Sequence, residues 1–345
     1  MLRTAIVGAS GYSGEELLRV LLGHPRVEVA TIVSRSLEGT PPATALPPLA
    51  PLMPPDLAFE NLSPGDLAAR ADLDCVFLAL PHGVAAEFAV PLRAAGKVVI
   101  DLSADFRLNE AAVYEEFYGT AHPAPELLGE AVYGLPELHR DAIRGAGLIA
   151  APGCYPTSII LGLAPALQAG LIDPATIVAN SISGSTGAGR KADARLLLPE
   201  VAENLYAYGV PKHRHLSEIE QELSALAGRG VVITFIPHLG PLARGIQTSI
   251  TANLSKELDQ SAAEETYHQR FQGEPFVHVH AAPALPAVKN VVRTNRIELA
   301  VRVDPRTRRL LIFACEDNLG KGAATQAVQA MNVRFGLPET EGLPL

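Results

Sequence analysis

The stretch Thr4-Ala-Ile-Val-Gly-Ala-Ser-Gly-Tyr-Ser-Gly14 joins a short apolar run to a helical pattern near the start of the chain. Thr4–Val7 is typical of a buried strand, and the leucines of Gly14–Leu22 recur on one helical face. Glycines stand between them at the spacing GxxGxxG, at positions 8, 11 and 14. A strand, a glycine turn and a helix in this order predict a dinucleotide site, in which a pyrophosphate meets the N–H groups of a helix N-terminus. The alternative is a tight turn that needs glycine for its backbone alone.

The end of the second predicted strand indicates which dinucleotide would bind. Strand Val27–Val33 is followed by Ser34-Arg35-Ser36, where an NAD site of this type carries Asp or Glu for the ribose 2′-hydroxyl. An arginine between two hydroxyls suits a 2′-phosphate, so the sequence predicts NADP(H); a solvated loop arginine is the alternative. The residues expected to bind the cofactor are Gly8, Ser10, Gly11, Tyr12, Ser13, Gly14, Ser34, Arg35, Ser36 and Pro81.

The first half of the chain alternates apolar runs with helical stretches. Cys75–Leu80, Val98–Leu102 and Gly147–Ala151 read as further buried strands. Near-continuous apolar strands separated by helices predict a parallel sheet covered on both faces. Residues 41–55 contain seven prolines and are expected to form a surface loop without helix or central strand. We expect a similar irregular segment at His122–Gly134.

Beyond residue 153 the apolar pattern changes to alternation, which predicts an antiparallel or mixed sheet with one wetter face. The predicted strands are Thr176–Ser183, Val231–Ile236, Gln247–Asn253, Phe276–His280, Arg296–Val303 and Arg309–Cys315. The predicted helices are Tyr155–Gln168, Ala192–Tyr206, Ser217–Ala227, Gln260–Phe271 and Ala323–Arg334. We therefore expect an α/β protein in two domains. A Rossmann-type domain (1–152, completed by 316–345) precedes an α+β domain for catalysis and oligomerisation (153–315).

Composition excludes several classes of protein. The chain has 345 residues, of which 48% are hydrophobic, so it has ample material for a buried core. A formal charge of −9 without a basic run argues against nucleic-acid binding, and no apolar run approaches the ~20 residues of a membrane span. The three cysteines show neither CxxC nor other metal-ligand spacing. We expect a reduced, cytoplasmic enzyme without a metal site.

Cys154 lies in Ala151-Pro-Gly-Cys-Tyr-Pro-Thr157, after a buried strand and at the start of an apolar helix. The helix dipole and the N–H groups of a helix N-terminus favour a thiolate there. The alternative, a buried inert thiol, better suits Cys75 and Cys315, which lie within apolar strands.

A nucleophilic cysteine requires an acid or base nearby, and the densest polar cluster is Lys212-His-Arg-His-Leu-Ser-Glu218. It precedes a helix for which Ser217 and Glu220 have the spacing of a capping box; a helix-capping surface loop is the alternative role of either histidine. A nicotinamide site, a nucleophilic cysteine and a histidine together indicate one type of reaction. The cysteine forms a thioester and a hydride moves between the acyl carbon and the cofactor, as in phosphorylating aldehyde dehydrogenases.

The motifs GASGYSGEELLRVL, LALPHG, DLSADFRL, YGLPEL, APGCYPTS, GSTGAGR, HRHLSEI, PHLGPLARGI and DNLGKGAATQAVQAMN together resemble the N-acetyl-γ-glutamyl-phosphate reductases of arginine biosynthesis. The resemblance runs from residue 4 to about 335, and Ser158 departs from the small residue that the family prefers. It implies that Cys154 is the nucleophile and His215 the acid/base, supported by His213. It further implies a cytoplasmic homotetramer, or dimer of dimers. Substrate contacts are implied for Arg107, Ser183, Gly184, Arg190 and Lys191, and a cofactor contact for Asn318.

Several other functions remain open from the sequence. A homologue in lysine biosynthesis reduces an aminoadipyl phosphate on an acidic carrier protein, and the charge of −9 argues against such a partner. Aspartate-semialdehyde dehydrogenase performs the same chemistry around a different cysteine motif. A Cys–His acyl hydrolase would not bind NADPH, and a regulatory protein would not need Cys154 and His215. The expected partners are therefore a small acyl phosphate and inorganic phosphate.

Overall fold

A computed structural model describes residues Met1–Leu345. The chain divides into two compact units. The first comprises Met1–Pro152 and Ala323–Pro344, and the second comprises Gly153–Gly322 with Leu345. Residues 316–322, which the sequence assigns to the first domain, lie in the second unit because the last sheet strand runs to Glu316 and the turn after it stays with that sheet.

The first unit contains a seven-stranded sheet in the order β3-β2-β1-β4-β5-β7-β6, and every pair is parallel. Its strands are β1 (Leu2–Val7), β2 (Val27–Val33), β3 (Phe59–Glu60), β4 (Cys75–Leu78), β5 (Val98–Asp101), β6 (Ala131–Tyr133) and β7 (Leu148–Ala150). The residues of β4 and β5 are buried throughout, as a sheet covered on both faces requires. The predicted Rossmann-type sheet is confirmed.

The helices of this unit are α1 (Tyr12–Leu22), α2 (Pro42–Ala45), α3 (Pro64–Ala69), α4 (Ala85–Ala94), α5 (Ala111–Tyr118) and α6 (Pro136–Gly145). The last helix of the chain, Thr325–Arg334, also belongs here and packs against α1 and α6. Nine of its ten residues are buried, all except Arg334, so it contributes to the core on several faces.

The second unit contains a mixed seven-stranded sheet in the order β12-β13-β14-β11-β8-β10-β9. Its strands are β8 (Val178–Ser183), β9 (Tyr206–Ala207), β10 (Thr234–Leu239), β11 (Ile246–Asn253), β12 (Val277–His280), β13 (Ile297–Asp304) and β14 (Arg309–Glu316). Buried and half-buried residues alternate along β8, β10 and β11, as predicted for a sheet with one covered face. The predicted α+β domain is confirmed.

The helices of the second unit are α7 (Cys154–Gln168), α8 (Leu198–Val201), α9 (His215–Ala227), α10 (Gln260–Arg270) and α11 (Val288–Val291), and the last helix of the chain is α12 (Thr325–Arg334). All residues of α7 between its two ends are buried. It packs against α9, β11 and β14, so a helix that is apolar on all sides forms the centre of this unit. None of the twelve helices is long and apolar enough to span a membrane.

Three segments differ from the prediction. Residues 41–55 contain α2 and a 3₁₀ helix at Pro47–Leu52, because proline is tolerated in the first turn of a helix. The segment predicted as irregular at 122–134 contributes β6, which pairs with β7. The helix predicted over Ala192–Tyr206 is broken into a 3₁₀ turn, the short α8 and β9; Pro199 stands in its middle, and the residues around it are exposed rather than packed.

Candidate active site

The glycine turn between β1 and α1 leaves no room for side chains. Gly8 has a φ of +92°, and a Cβ there would collide with the carbonyl oxygen of Ala79. A Cβ at Gly14 would collide with the carbonyl oxygen of Gly8. Gly11 caps α1, and no side chain bonds the helix N-terminus. The turn therefore forms a cradle of backbone N–H groups that fits a dinucleotide phosphate, with Tyr12 and Ser13 in the first turn of the helix.

Three serine hydroxyls extend from this cradle along the ends of β1 and β2. Ser10 Oγ lies 3.3 Å from Ser34 Oγ, which lies 3.4 Å from Ser36 Oγ. Ser34 is 7% exposed, whereas the Arg35 side chain is exposed at the start of a 3₁₀ turn. Pro81 follows β4, the other neighbour of β1. The residues expected to bind the cofactor in this unit thus line the carboxyl ends of adjacent parallel strands, where ligands bind in open α/β sheets.

Cys154 is the first residue of α7, and Gly153 is its N-cap without any side-chain hydrogen bond. It is partly exposed, while Cys75 and Cys315 are buried. Burial raises the pKa of Cys75, and burial with the nearby Glu298 and Glu316 raises the pKa of Cys315 to about 12. Only Cys154 therefore combines access with a helix N-terminus, which is the environment that favours a thiolate.

A buried carboxylate connects the cysteine's loop to a histidine. Glu218, 1% exposed, accepts a hydrogen bond from Gly153 N at 3.0 Å. Its Oε1 lies 4.0 Å from Nε2 of His215. A Cβ on Gly153 would stand 2.7 Å from that Nε2 and 2.8 Å from Oε1. Glycine at 153 therefore allows the imidazole and the carboxylate to pack directly against the residue before Cys154.

His213 has a different environment from His215. Burial, and then the charge of Arg214, lower the pKa of His213 to about 4, so its ring is neutral at pH 7. Its Nδ1 accepts a hydrogen bond from the backbone N of His215 at 3.1 Å, which requires Nδ1 without a proton. His213 therefore supports the start of α9 and is unsuited to donate a proton at neutral pH.

The predicted capping box on α9 is wrong. The helix begins at His215, two residues earlier than predicted, so Ser217 lies inside the first turn and its Oγ donates to the carbonyl oxygen of Arg214. Glu220 instead accepts a hydrogen bond from the backbone N of Ile233. The earlier start brings His215 and Glu218 to the same face, at the spacing i,i+3.

Two tyrosines beside Cys154 were not among the predicted residues. Tyr155 and Tyr208 share a hydrogen bond of 2.8 Å between their hydroxyls, and Ser183 also hydrogen-bonds the Tyr155 side chain. Burial raises the pKa of Tyr155 and raises that of Tyr208 to about 12. Tyr155 also packs against the rings of His213 and His215 at centroid distances of 5.7 and 5.8 Å. The tyrosine in PGCYPT could have indicated a further site residue from the sequence. Its partner Tyr208 could not, because it lies 53 residues away along the chain.

Of the predicted substrate residues, Ser183 and Gly184 lie at the end of β8 in a tightly packed turn. A Cβ on Gly184 would stand 2.7 Å from the backbone of Ala243 and Arg244. Asn318, predicted to contact the cofactor, joins this turn to its neighbour. Its Oδ1 accepts from Gly245 N at 2.7 Å and its Nδ2 donates to Thr186 Oγ1 at 3.0 Å. Asn318 therefore stabilises both turns.

The basic residues predicted to contact the substrate lie in different surroundings. Arg107, in the first unit, is 6% exposed and donates from Nε to the carbonyl oxygen of Ala151 (2.8 Å) and from Nη2 to that of Leu102 (2.9 Å). It holds together the ends of two strands. Arg190 and Lys191, in the second unit, are exposed on a bend without regular structure.

Comparison with known protein families matches both halves of the chain. Residues 3–146 match the semialdehyde dehydrogenase NAD binding domain, and residues 154–318 match the semialdehyde dehydrogenase dimerisation domain. Among solved structures, aspartate semialdehyde dehydrogenase II of Vibrio cholerae complexed with ASA superposes with a TM-score of 0.73 at 18% identity, covering 97% of this chain and 98% of that one. That likeness shows a shared fold.

Sequence relatives are much closer. An N-acetyl-gamma-glutamyl-phosphate reductase of Akkermansia muciniphila is 48% identical over 99% of this chain and 98% of its own. Those of Moorella thermoacetica (47%, 99% and 98%) and Geobacter metallireducens (49%, 100% and 99%) are similarly related. Identity at this level over whole chains establishes membership, so the chain belongs to the N-acetyl-gamma-glutamyl-phosphate reductase family.

Proposed function

We propose that this protein reduces N-acetyl-L-glutamyl 5-phosphate to N-acetyl-L-glutamate 5-semialdehyde and phosphate, with NADPH as the reductant, in arginine biosynthesis. The observation that carries the proposal is the arrangement at the start of α7. Cys154 is at the helix N-terminus, and His215 and the buried Glu218 pack against the preceding Gly153. The names of the relatives favour this substrate over a carrier-bound aminoadipyl phosphate.

Cys154 is the nucleophile of the proposed reaction. Its thiolate attacks the acyl carbon of the substrate, the bond to the phosphate oxygen breaks, and a thioester forms on Sγ as phosphate leaves. Two features favour the thiolate over the thiol. The dipole of the 15-residue helix α7 puts its positive end at Cys154, and the side chain keeps access to solvent and substrate.

NADPH, when bound, supplies the hydride that brings the thioester carbon to the oxidation level of an aldehyde. The cradle at Gly8, Gly11 and Gly14 fits its pyrophosphate because the glycines let a phosphate approach the N-terminus of α1, to which the N-cap Gly11 contributes no side chain. The hydroxyls of Ser34 and Ser36 and the exposed guanidinium of Arg35 suit a 2′-phosphate. In this proposal Pro81 and Asn318 are further cofactor contacts.

His215 holds the proton that the reduced carbonyl oxygen requires, at Nε2. The carboxylate of Glu218, 4.0 Å away, favours the protonated imidazole. His215 donates this proton to the oxygen of the hemithioacetal and withdraws it again as the carbonyl re-forms and Sγ leaves. Tyr155 and His213 hold the imidazole from the side, and the neutral His213 adds no competing charge.

The anionic ends of the substrate need cations and N–H donors. We propose Arg107, Ser183, Gly184, Arg190, Lys191 and His213 for these contacts. Ser183 is the best supported because its hydroxyl joins Tyr155, the neighbour of Cys154. Arg107 already bonds two backbone carbonyls, so its role includes fixing the strand ends.

We also propose a homotetramer built as a dimer of dimers. The second unit matches a dimerisation domain. In its sheet α7 covers one face, on which Thr248 bonds Ser158. The other face carries Ile182, Leu311 and Phe313, all only half-buried. An apolar sheet face of this kind suits contact with a second copy.

The test is phosphate-dependent reduction of NADP⁺ by the purified protein with N-acetylglutamate 5-semialdehyde. The proposed function requires turnover that depends on phosphate and is lost in Cys154→Ala, with Cys75→Ala as the matched control. Reduction of only a carrier-linked aminoadipyl phosphate in the reverse assay would instead assign the enzyme to lysine biosynthesis. Acyl hydrolysis without nicotinamide turnover would overturn the reductase assignment.

A further inference from the structure

An arginine that has no part in the proposed mechanism lies in the turn between β10 and β11. The guanidinium of Arg244 is 14% exposed and pairs with the fully buried Asp317. Nε lies 3.1 Å from Oδ1, and Nη2 lies 2.8 Å from Oδ2. Two parallel contacts between a guanidinium and a carboxylate fix its plane as well as its position.

Asp317 is itself held by the backbone. Its carboxylate accepts hydrogen bonds from Leu319 N at 2.9 Å and Gly320 N at 3.3 Å, and also from Arg293 N. These donors hold the carboxylate in place, so it fixes the orientation of the Arg244 guanidinium. The guanidinium is therefore held in one orientation at a partly exposed position.

The turn that carries Asp317 packs directly on the nucleophile. Gly322 N donates to the carbonyl oxygen of Asp317 at 2.9 Å. A Cβ at Gly322 would lie 2.9 Å from Cys154 Cβ and 3.2 Å from that same oxygen. The backbone of Arg244 packs against another turn, since its N lies 2.7 Å from where a Cβ on Gly184 would stand. Arg244 is thus linked through Asp317 to the loop of Gly322, which contacts Cys154, and through its backbone to the turn of Gly184.

We infer that Arg244, oriented by the positioning residue Asp317, binds the carboxylate of the substrate and makes the enzyme select acyl phosphates and semialdehydes that carry this carboxylate. The inference rests on the proposed function and deepens it. In the second unit, Arg190 and Lys191 are exposed on a bend, and exposed cations recognise anions with less geometric specificity than a fixed guanidinium. While Nε and Nη2 of Arg244 face Asp317, the edge formed by Nη1 and Nη2 matches the two oxygens of a carboxylate.

The test compares two aldehydes in the phosphate-dependent assay: N-acetylglutamate 5-semialdehyde and 4-acetamidobutanal, which is the same molecule without the carboxylate. Wild-type enzyme should prefer the former. Arg244→Met should lower kcat/KM for it by about 10- to 150-fold, the range for a lost hydrogen bond to a charged group. The value for 4-acetamidobutanal should change less than threefold. Arg296→Met, which removes an arginine paired with Glu298, is the control and should change neither.

Two further variants keep the test decisive if Arg244→Met does not fold. Arg244→Lys keeps the charge and loses the fork, so it should affect only the carboxylate substrate, and more weakly. Asp317→Asn should raise KM for that substrate more than it lowers kcat. An equal loss on both aldehydes would make Arg244 a structural residue, and a wild type that treats both alike would also overturn the inference while leaving the Cys154 chemistry intact. A wild type inactive on both aldehydes would refute the proposed function itself.

Discussion

Replacing Glu218 by glutamine removes a buried negative charge while keeping an oxygen that can accept from the backbone N of Gly153. In the structure one carboxylate oxygen accepts that bond at 3.0 Å and the other lies 4.0 Å from Nε2 of His215. The first contact positions the loop of Cys154, and the second favours a protonated imidazole. The variant separates these two effects, since only the second depends on charge.

The magnitude follows from the type of contact. Two unit charges 4 Å apart interact by about 1 kcal/mol in water and about 4 kcal/mol near a protein surface, so we expect Glu218→Gln to lower kcat roughly 10- to 150-fold with little change in KM. The alkaline limb of the pH profile should move to lower pH, because the carboxylate no longer favours the protonated imidazole. Glu218→Ala should lose more, since Gly153 N then has no acceptor in a buried position.

The assay is phosphate-dependent NADP⁺ reduction across pH 5–10, with thermal unfolding measured in parallel. Glu222, on the same helix and also buried, provides the control: Glu222→Gln should leave the pH profile unchanged. If Glu218→Gln keeps kcat within twofold of wild type at every pH, the carboxylate does not act through His215. A fall in melting temperature that accounts for the whole loss of activity would refute the reasoning equally.

Three further outcomes are expected. Cys154→Ser should abolish turnover and leave NADPH affinity nearly unchanged, because an alcohol at a helix N-terminus does not ionise at neutral pH; more than a few per cent residual activity would exclude the thioester. Arg35→Asp should weaken NADPH binding roughly ten- to hundredfold in fluorescence titration, by loss of a charge-assisted contact, with NADH affinity unaffected; equal wild-type Michaelis constants for both cofactors would refute the preference. Protonation of His213, whose pKa burial lowers to about 4, should destabilise the fold. Between pH ~6.5 and 4 the native state binds fewer protons than the unfolded state, so this contribution to stability is complete above pH ~6.5, falls by about 3 kcal/mol as the pH drops to 4, and changes little below that. Urea unfolding should show this loss in wild type and in His268→Gln, but not in His213→Gln.

The strands and helix α7 could be predicted from the sequence because their signals are local. Val27–Val33 agrees with the structure at both ends, and α7 begins one residue before its predicted start. The glycines at 8 and 14 could be read as a cradle because a strand followed by a tight turn and a helix leaves few backbone solutions. Periodicity, glycine spacing and helix termini can all be recognised in sequence patterns of this short range.

The predicted secondary structure is wrong where local propensity and tertiary contacts compete. Ala192–Tyr206 has helical composition, yet Pro199 and the absence of a packing surface leave it mostly irregular and exposed. The strand Ala131–Tyr133 was missed because three residues at a sheet edge carry little periodicity, and only β7 beside it stabilises it.

The α/β class, the glycine turn after β1 and the place of Cys154 at the start of a helix could all be predicted from the sequence, since each depends on residues close together in the chain. The groups that surround Cys154 follow only from the tertiary fold. Glu218 meets Gly153 across 65 residues, Tyr155 meets Tyr208 across 53, and Arg244 meets Asp317 across 73. Contacts at such separations are set by strand order and helix packing, which no local pattern encodes, and burial in that packing is what makes His213 neutral and the Asp317 carboxylate rigid.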